Sequence, residues 1–138
     1  MSPLFVLDNS VVMRWLSQES THDYADKILS LLNGKSQAIV PVLWRYEFIS
    51  VLLKLQKTGV ISSEQAELFV EEINNLDFIV DYEGIDFILN DVRYLAKKHS
   101  LTGYDAAYLE LAIRKQIPLA TLDMDLRKAA SFAKIELI

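Results

Sequence analysis

The sequence contains no cysteine in its 138 residues, so neither disulfide bonds nor thiolate metal sites are available to it. That absence suits a reducing compartment, and we expect a cytoplasmic protein. Long apolar runs are missing as well, since none approaches the roughly 18 residues that a membrane span needs. The N-terminal segment has no basic leader, and Asp8 interrupts its short apolar stretch, which does not fit a signal peptide. We therefore expect a soluble protein without membrane contacts.

Positive charge is also scarce, because 14 lysines and arginines stand against 19 acidic residues, a formal net charge of −5. Binding to a polyanion normally requires clustered cationic side chains, so this charge balance argues against electrostatic binding of nucleic acid over the whole protein surface. Divalent cations bound by some of the acids would bring the net charge close to zero. Apolar residues, by contrast, make up 51% of the chain, enough for the core of one ordinary domain, and we expect residues 1–138 to form a single domain.

Short apolar runs with strand character alternate with segments of helical periodicity along the chain. The predicted strands are Leu4–Leu7, Ala38–Val40, Asp77–Val80, Pro118–Leu122 and Ile135–Ile138. The predicted helices are Val11–Leu16, Thr21–Leu32, Val42–Lys57, Ser63–Asn74, Ile85–Lys98, Gly103–Arg114 and Met124–Ala130. This alternation predicts an α/β protein whose mostly parallel sheet is covered by helices on both faces.

Two aspartates follow predicted strands directly. Asp8 comes after Leu4–Leu7, and Asp123 comes after Pro118–Leu122. Because right-handed crossovers bring the carboxyl ends of parallel strands to one edge of the sheet, we expect both carboxylates at a common crevice. Each could instead be the N-cap of the following helix, a frequent role for aspartate. The two roles are compatible, since the first turn of such a helix also faces the crevice.

Glu47 lies in an otherwise apolar row of its predicted helix. Steps of four residues place it between Leu43 and Val51, so it shares a face with them. A buried carboxylate without a partner would have its pKa raised by desolvation. Either a salt bridge to an arginine of a neighbouring helix or a bound metal ion would keep Glu47 ionised, and we favour the metal ion.

Asp105 is the third residue of a helix that Thr102 is predicted to cap. An acid in the first turn is favourable by about 0.3 to 1 kcal/mol through the helix dipole, which alone could explain it. The small side chains of Ala106 and Ala107 beside it would also let a ligand approach closely. Asp105 is therefore a candidate ligand as well as a capping residue.

Three more polar residues stand beside these acids in the sequence. Asp125 lies two residues after Asp123 and is expected in an outer position or in the first helical turn. Ser10 and Thr121 place hydroxyl groups next to Asp8 and Asp123, where they would orient a carboxylate or a bound water. Their alternative roles are a helix N-cap and an ordinary strand residue.

Four segments taken together resemble a PIN domain, and more narrowly the toxin ribonucleases of bacterial and archaeal VapBC toxin–antitoxin pairs. They are VLDNS at Val6–Ser10, RYEFISVL around Glu47, LTGYDAAYLELA at Leu101–Ala112 and PLATLDMDLRKAA at Pro118–Ala130. The resemblance covers nearly the whole chain in order and spacing. It implies a three-layer α/β/α sandwich, an endoribonuclease that uses Mg²⁺ or Mn²⁺, a homodimer, and inhibition by an antitoxin whose C-terminal segment lies in an apolar groove and obstructs the active site.

The resemblance also implies roles for individual residues. The catalytic and metal-binding acids would be Asp8, Glu47, Asp105 and Asp123, with Asp125 as an additional metal ligand and Ser10 and Thr121 as supporting polar groups. Proximity to the acidic motifs, independently of the resemblance, gives the candidate RNA-binding cations Arg14, Arg45, Arg127 and Lys128, whose alternative role is ordinary solvated surface. We expect metal-assisted hydrolysis of RNA phosphodiester bonds. The sequence is compatible with one bound ion or two, and it does not specify the RNA target.

Two alternative functions are compatible with acids at the edge of a parallel sheet. A receiver-type phosphoacceptor module would carry an adjacent acidic pair after the first strand, whereas here Asn9 follows Asp8, and no lysine follows the late strand as that class requires. A catalytically silent PIN-fold interaction protein would have lost acids of the motif, and all four are in place. Metal-dependent ribonuclease activity is therefore the favoured interpretation.

Overall fold

The computed structural model describes residues 3–16 and 22–138. Within them, four strands form one parallel sheet in the order β3-β2-β1-β4. The strands are β1 (Leu4–Leu7), β2 (Gln37–Pro41), β3 (Ile79–Asp81) and β4 (Leu119–Ala120). The two central strands are buried along almost their whole length, as expected for a sheet covered on both faces. The predicted parallel sheet is confirmed.

Seven α-helices of the described chain flank this sheet and complete the expected α/β/α fold. They are α1 (Asn9–Leu16), α2 (Asp23–Asn33), α3 (Leu43–Lys57), α4 (Ser63–Asn75), α5 (Arg93–His99), α6 (Gly103–Lys115) and α7 (Met124–Phe132). The predicted capping box at the start of α4 is present, since Gln65 N–H donates to Ser62 Oγ at 3.1 Å and Ser62 N–H donates to Gln65 Oε1 at 2.8 Å. The predicted helix start at Thr21 lies outside the described residues.

The long helix predicted over Ile85–Lys98 is wrong in its first half. Residues Glu83–Phe87 form a 3₁₀ turn and Ile88–Val92 a π-helical turn, and regular α-helix begins only at Arg93. The cause is a tight approach of the chain to the end of β3: a Cβ at Gly84 would lie 2.6 Å from Asp81 Oδ2. Phe87 also lies against the Arg114 guanidinium, at 4.8 Å from its ring centroid. These tertiary contacts override the helical periodicity.

The strand predicted over Ile135–Ile138 is also wrong. Only an isolated parallel bridge joins Leu137 to Leu119, and β4 itself has two residues instead of five. Lys134 has a φ of 61°, a left-handed conformation that redirects the chain just before the bridge. At the other end, β4 stops at Ala120, and the next residue, Thr121, donates its hydroxyl to Asp8.

Helix α6 is the most deeply embedded helix of the described chain. All residues from Ala106 to Ala112 are buried, and the helix packs against β1, β2 and β4. Tyr108 and Leu109 are completely inaccessible. The helix that carries Asp105 at its start is therefore fixed by the core. No helix in the described ranges is long and apolar enough to cross a membrane.

Candidate active site

Asp8 is the first residue after β1, and it is held from three sides. Its N–H donates to the Ala120 carbonyl at 3.0 Å, which ties it to β4. Its Oδ2 accepts hydrogen bonds from Thr121 Oγ1 at 2.6 Å and from Ser10 Oγ at 2.7 Å. The side chain is only 4% exposed. Burial raises the pKa of Asp8, and the two hydroxyl hydrogen bonds offset only part of that effect.

Asp123 has the N-cap role that its position after β4 predicted. Its Oδ1 accepts from Leu126 N–H at 2.8 Å and so begins α7. Its own N–H donates to Thr121 Oγ1 at 3.0 Å, while Ser10 Oγ accepts from Leu122 N–H at 2.9 Å. The hydroxyls of Ser10 and Thr121 therefore link the loop after β1 to the loop after β4. They set the position of Asp8 relative to Asp123.

Glu47 is half-buried in α3 and makes no salt bridge with any cationic residue of the described chain. Its partner is the fully buried Tyr108 of α6, whose hydroxyl donates to Glu47 Oε1 at 2.6 Å. Burial raises the pKa of Glu47, the Tyr108 hydrogen bond lowers it, and the charges of Asp8 and Asp105 raise it further. The Tyr108 hydroxyl itself has its pKa raised, first by burial and then by the Glu47 charge. It therefore remains a proton donor.

The charges of three neighbouring aspartates, Asp8, Asp123 and Asp125, act on Asp105. Its N–H donates to the capping oxygen Thr102 Oγ1 at 3.1 Å. Burial, followed by the charges of Asp123 and Asp8, raises the pKa of Asp105 to about 6. A smaller contribution in the same direction comes from Asp125, which is exposed in the first turn of α7. These couplings are consistent with the sequence-predicted acids lying near one another.

The four acids Asp8, Glu47, Asp105 and Asp123 lack a cationic partner: in residues 3–16 and 22–138, every salt bridge involves Arg114 or Lys115 instead. Within the same ranges, no group of three or more histidine or acidic side chains lies close enough together to hold a metal ion. Carboxylates that repel one another are expected to stay apart until a cation is bound. Because carboxylate oxygens are the ligands that Mg²⁺ and Mn²⁺ prefer, the donor set fits a divalent cation after rotamer changes.

The predicted RNA-binding cations have unequal surroundings. Arg14 and Arg45 are exposed, and Arg45 lines a small cavity with Trp44 and Asp77. Arg127 is half-buried and donates from Nη1 to the Thr121 carbonyl at 2.8 Å, which makes it part of the β4–α7 connection. Lys128 is exposed and borders a separate depression at the end of α7.

Two features of the acidic residues were missed at the level of the sequence. The first is Tyr108, whose spacing of three residues from Asp105 places it one helical turn further along the same side of α6. The second is a separate buried acidic cluster, Asp81 and Glu110, which Arg114 neutralises. The spacing of Glu110 and Arg114, four residues apart on one helix, is the signal that would have identified this pair.

Comparisons with known proteins identify the family and the fold of this chain. The pattern of the PIN domain family matches residues 5–131. The chain is 29% identical over 122 residues to Ribonuclease VapC3 of Pyrobaculum aerophilum, which covers 88% of this chain and 90% of that protein. Two solved structures share the fold. FitAcB of Neisseria gonorrhoeae superposes with a TM-score of 0.67 at 16% identity, covering 97% of this chain and 96% of that one. VapBC2 of Rickettsia felis, bound to a DNA fragment from its promoter, gives 0.70 at 14% identity, covering 98% and 97%.

Proposed function

The chain belongs to the PIN domain family, and on that premise we propose that it is a metal-dependent endoribonuclease, the toxin of a VapBC-type toxin–antitoxin pair that acts in the cytoplasm. Its similarity to a protein named Ribonuclease VapC3 supports the ribonuclease activity. The observation that carries the proposal is the group of four coupled carboxylates without a cationic partner in the described chain. Such a group is costly to the fold unless a cation joins it.

We assign the binding of Mg²⁺ or Mn²⁺ to Asp8, Glu47, Asp105 and Asp123, with Asp125 as an additional acid. Bound divalent cations supply Lewis acidity, which favours attack of water on a phosphodiester and stabilises charge on the phosphate oxygens. The protein supplies the positions of the ligands. Ser10 and Thr121 fix Asp8 Oδ2, and Tyr108 fixes Glu47 Oε1. The buried stretch Ala106–Ala112 anchors α6, which carries Asp105 in its first turn.

The direct test is cleavage of RNA by the purified protein with Mn²⁺ or with a chelator. We expect cleavage only with the metal ion, and we expect Asp105→Asn to abolish it. A matched control is Glu67→Gln, which removes the charge of an exposed acid on α4 and should leave cleavage unchanged. Equal cleavage by Asp105→Asn and the wild type would contradict the assignment of the site.

The toxin role has its own test in cells. Expression of the chain alone should arrest growth, and Asp105→Asn should relieve the arrest. A small neighbouring gene whose product has a DNA-binding N-terminal domain should neutralise the toxin when both are expressed. Growth that is unaffected by the wild-type chain would contradict the toxin role and leave the nuclease activity to be judged by the cleavage assay.

Partner proteins have an apolar groove available to them on the described surface. It has a volume of about 490 Å³, and Leu43, Ile85 and Ile88 contribute to its walls. Gly103 and Tyr104, which directly precede Asp105 in the sequence, also line the groove. Ile85 and Ile88 are 55% and 48% exposed, a degree of apolar exposure that favours a protein contact. The substitution Ile88→Asp should therefore weaken either self-association or capture of the antitoxin, and light scattering of the chain with and without the antitoxin identifies which.

A further inference from the structure

A second depression of about 490 Å³ lies where the end of α5 meets the outer side of α7. Its walls include Lys98 and His99 from α5 and Lys128 and Phe132 from α7. Asp125, which is electrostatically coupled to Asp105, borders the same depression. The depression is therefore adjacent to the acidic site and separate from the apolar groove.

An exposed aromatic ring forms one side of this depression. Phe132 is 72% exposed, so it contributes little to the core. The His99 ring meets it edge to face, with centroids 5.7 Å apart, and Lys98 Nζ lies 5.6 Å from its centroid. A phenyl ring that neighbouring side chains hold in place but do not cover offers a face on which a nucleic acid base can stack.

Two lysines accompany the ring. Within residues 3–16 and 22–138, neither Lys98 nor Lys128 has a carboxylate within salt-bridge distance. Free cationic groups are notable in a chain with a net charge of −5. Cations beside an exposed aromatic ring are the combination by which proteins hold the backbone and the bases of single-stranded nucleic acid.

Helix α7 links this depression to the acids. It begins at its N-cap Asp123, and Phe132 is its last residue. The seven residue-to-residue steps from Asp125 to Phe132 span about 10 Å along the helix axis. A nucleotide bound at Phe132 and a phosphate bound by the acids could therefore belong to the same RNA strand, a short distance apart.

We propose that the depression bordered by Lys98, Lys128, His99 and Phe132 is a subsite for an unpaired nucleotide of the RNA substrate. The base stacks on Phe132, and the two lysines contact its phosphates. This inference rests on the proposed ribonuclease function, and the subsite requires an unpaired nucleotide, because a base within a duplex is not free to stack on a side chain. Double-stranded RNA should bind more weakly than the same strand alone.

The experiment measures equilibrium binding of a short fluorescein-labelled single-stranded RNA by fluorescence anisotropy over a range of salt concentrations. All proteins carry Asp105→Asn, so that binding is observed without cleavage. Phe132→Leu should weaken binding roughly tenfold, whereas Phe132→Trp, which keeps a stacking surface, should not. Lys98→Ala should lower the slope of log affinity against log salt by about 0.7, the loss of one phosphate contact. Lys57→Ala, which removes an exposed lysine at the end of α3, is the matched control and should change neither the affinity for RNA nor its salt dependence.

The outcomes separate this inference from the proposed function. If the wild type cleaves RNA but Phe132→Leu and Lys98→Ala bind RNA as tightly as the Asp105→Asn parent, the subsite is refuted and the nuclease stands. If the wild type cleaves no RNA and the parent binds none, both are refuted. If Phe132→Leu leaves RNA binding intact but releases a co-purifying antitoxin, the depression is a protein contact and the subsite is again refuted. Equal affinity for the single strand and for its duplex would contradict the requirement for an unpaired nucleotide.

Discussion

Two groups of buried acids in this protein differ in what neutralises them. Asp81 at the end of β3 and Glu110 in α6 are each 5% exposed, and both accept hydrogen bonds from Arg114. The pKa of Arg114 is raised, chiefly by the hydrogen bond to Glu110. At the other group, Asp8 is equally buried, and its partners are the neutral hydroxyls of Ser10 and Thr121.

Helix α6 contributes to both groups, Asp105 at its start and Glu110 further along. In one group, Arg114 neutralises the carboxylates. In the other group, the carboxylates have only neutral hydroxyl groups as hydrogen-bond donors from side chains. Burial raises the pKa of Asp8, Glu47 and Asp105. The difference indicates that the Arg114 group serves the stability of the fold and that the uncompensated group serves a ligand of opposite charge.

The sharpest test of this comparison is Asp8→Asn, for which we expect the largest effect. The amide keeps the shape of the side chain but cannot supply a charged ligand, so RNA cleavage should fall by about a thousandfold, more than the loss of a residue that only supports a ligand. The metal-free protein should be no less stable than the wild type, because a buried, uncompensated carboxylate has been removed. Cleavage rates and thermal unfolding in chelator measure the two effects. Full activity in Asp8→Asn would remove the distinction between the groups.

The converse test is Arg114→Met, which should act on stability. The variant leaves Asp81 and Glu110 buried without a cation, and loss of one partner of such a pair costs about 3 to 5 kcal/mol. Cleavage per folded molecule should persist, because Arg114 contacts none of the four site acids. Lys115→Met is the matched control: Lys115 Nζ lies 3.6 Å from the exposed Glu83, and its removal should cost less than about 1 kcal/mol. Denaturant unfolding of both variants measures the difference.

The sequence predicts the parts of this fold that local signals control. The β1 and β2 runs, the capping box of Ser62 and Gln65, and the helix starts at Thr102 and Asp123 follow from patterns within a few residues. The turns over Glu83–Val92 do not, because they result from the approach of Gly84 to Asp81 and of Phe87 to Arg114. Arg114, which is distant along the chain, lies against both Gly84 and Phe87, and a single sequence does not reveal that contact.

The same limit applies to the candidate site. The positions of Asp8 and Asp123 after strands indicate a common edge of the sheet, and the structure brings them within electrostatic reach of each other. The interpretation of Glu47 depended on whether an arginine faced it, a question of tertiary packing. In the structure the tyrosine hydroxyl of Tyr108 is the partner of Glu47, and the buried salt bridge considered for Glu47 is found at Glu110 instead.

A finer test of the uncompensated group is Tyr108→Phe, which removes only the hydroxyl that donates to Glu47 Oε1. Loss of such a supporting contact to a metal ligand typically costs about ten- to a hundredfold in metal affinity or activity. We expect weaker Mn²⁺ binding by calorimetry and a matching rise in the Mn²⁺ concentration needed for cleavage, with the maximal rate changed less. Tyr104→Phe, at an exposed tyrosine of the same helix, is the control. Unchanged Mn²⁺ affinity in Tyr108→Phe would show that the Tyr108 hydroxyl does not support metal binding and that Tyr108 serves only core packing.

The smallest expected effect is a pH dependence of stability that distinguishes the two groups. Burial and the neighbouring acids raise the pKa of Asp105 from 3.8 to about 6. A carboxyl group whose pKa is higher in the folded state stabilises the fold when protonated, and that stabilisation is lost as the pH rises through the folded-state value. The metal-free protein should therefore melt at a higher temperature at about pH 5 than at about pH 7, and Asp105→Asn should reduce the difference. With Mn²⁺ present the trend should reverse, because protons compete with the cation for the carboxylates. If the melting temperature in chelator falls on acidification in both the wild type and Asp105→Asn, the site acids do not destabilise the metal-free fold when they are ionised, and the prediction is wrong.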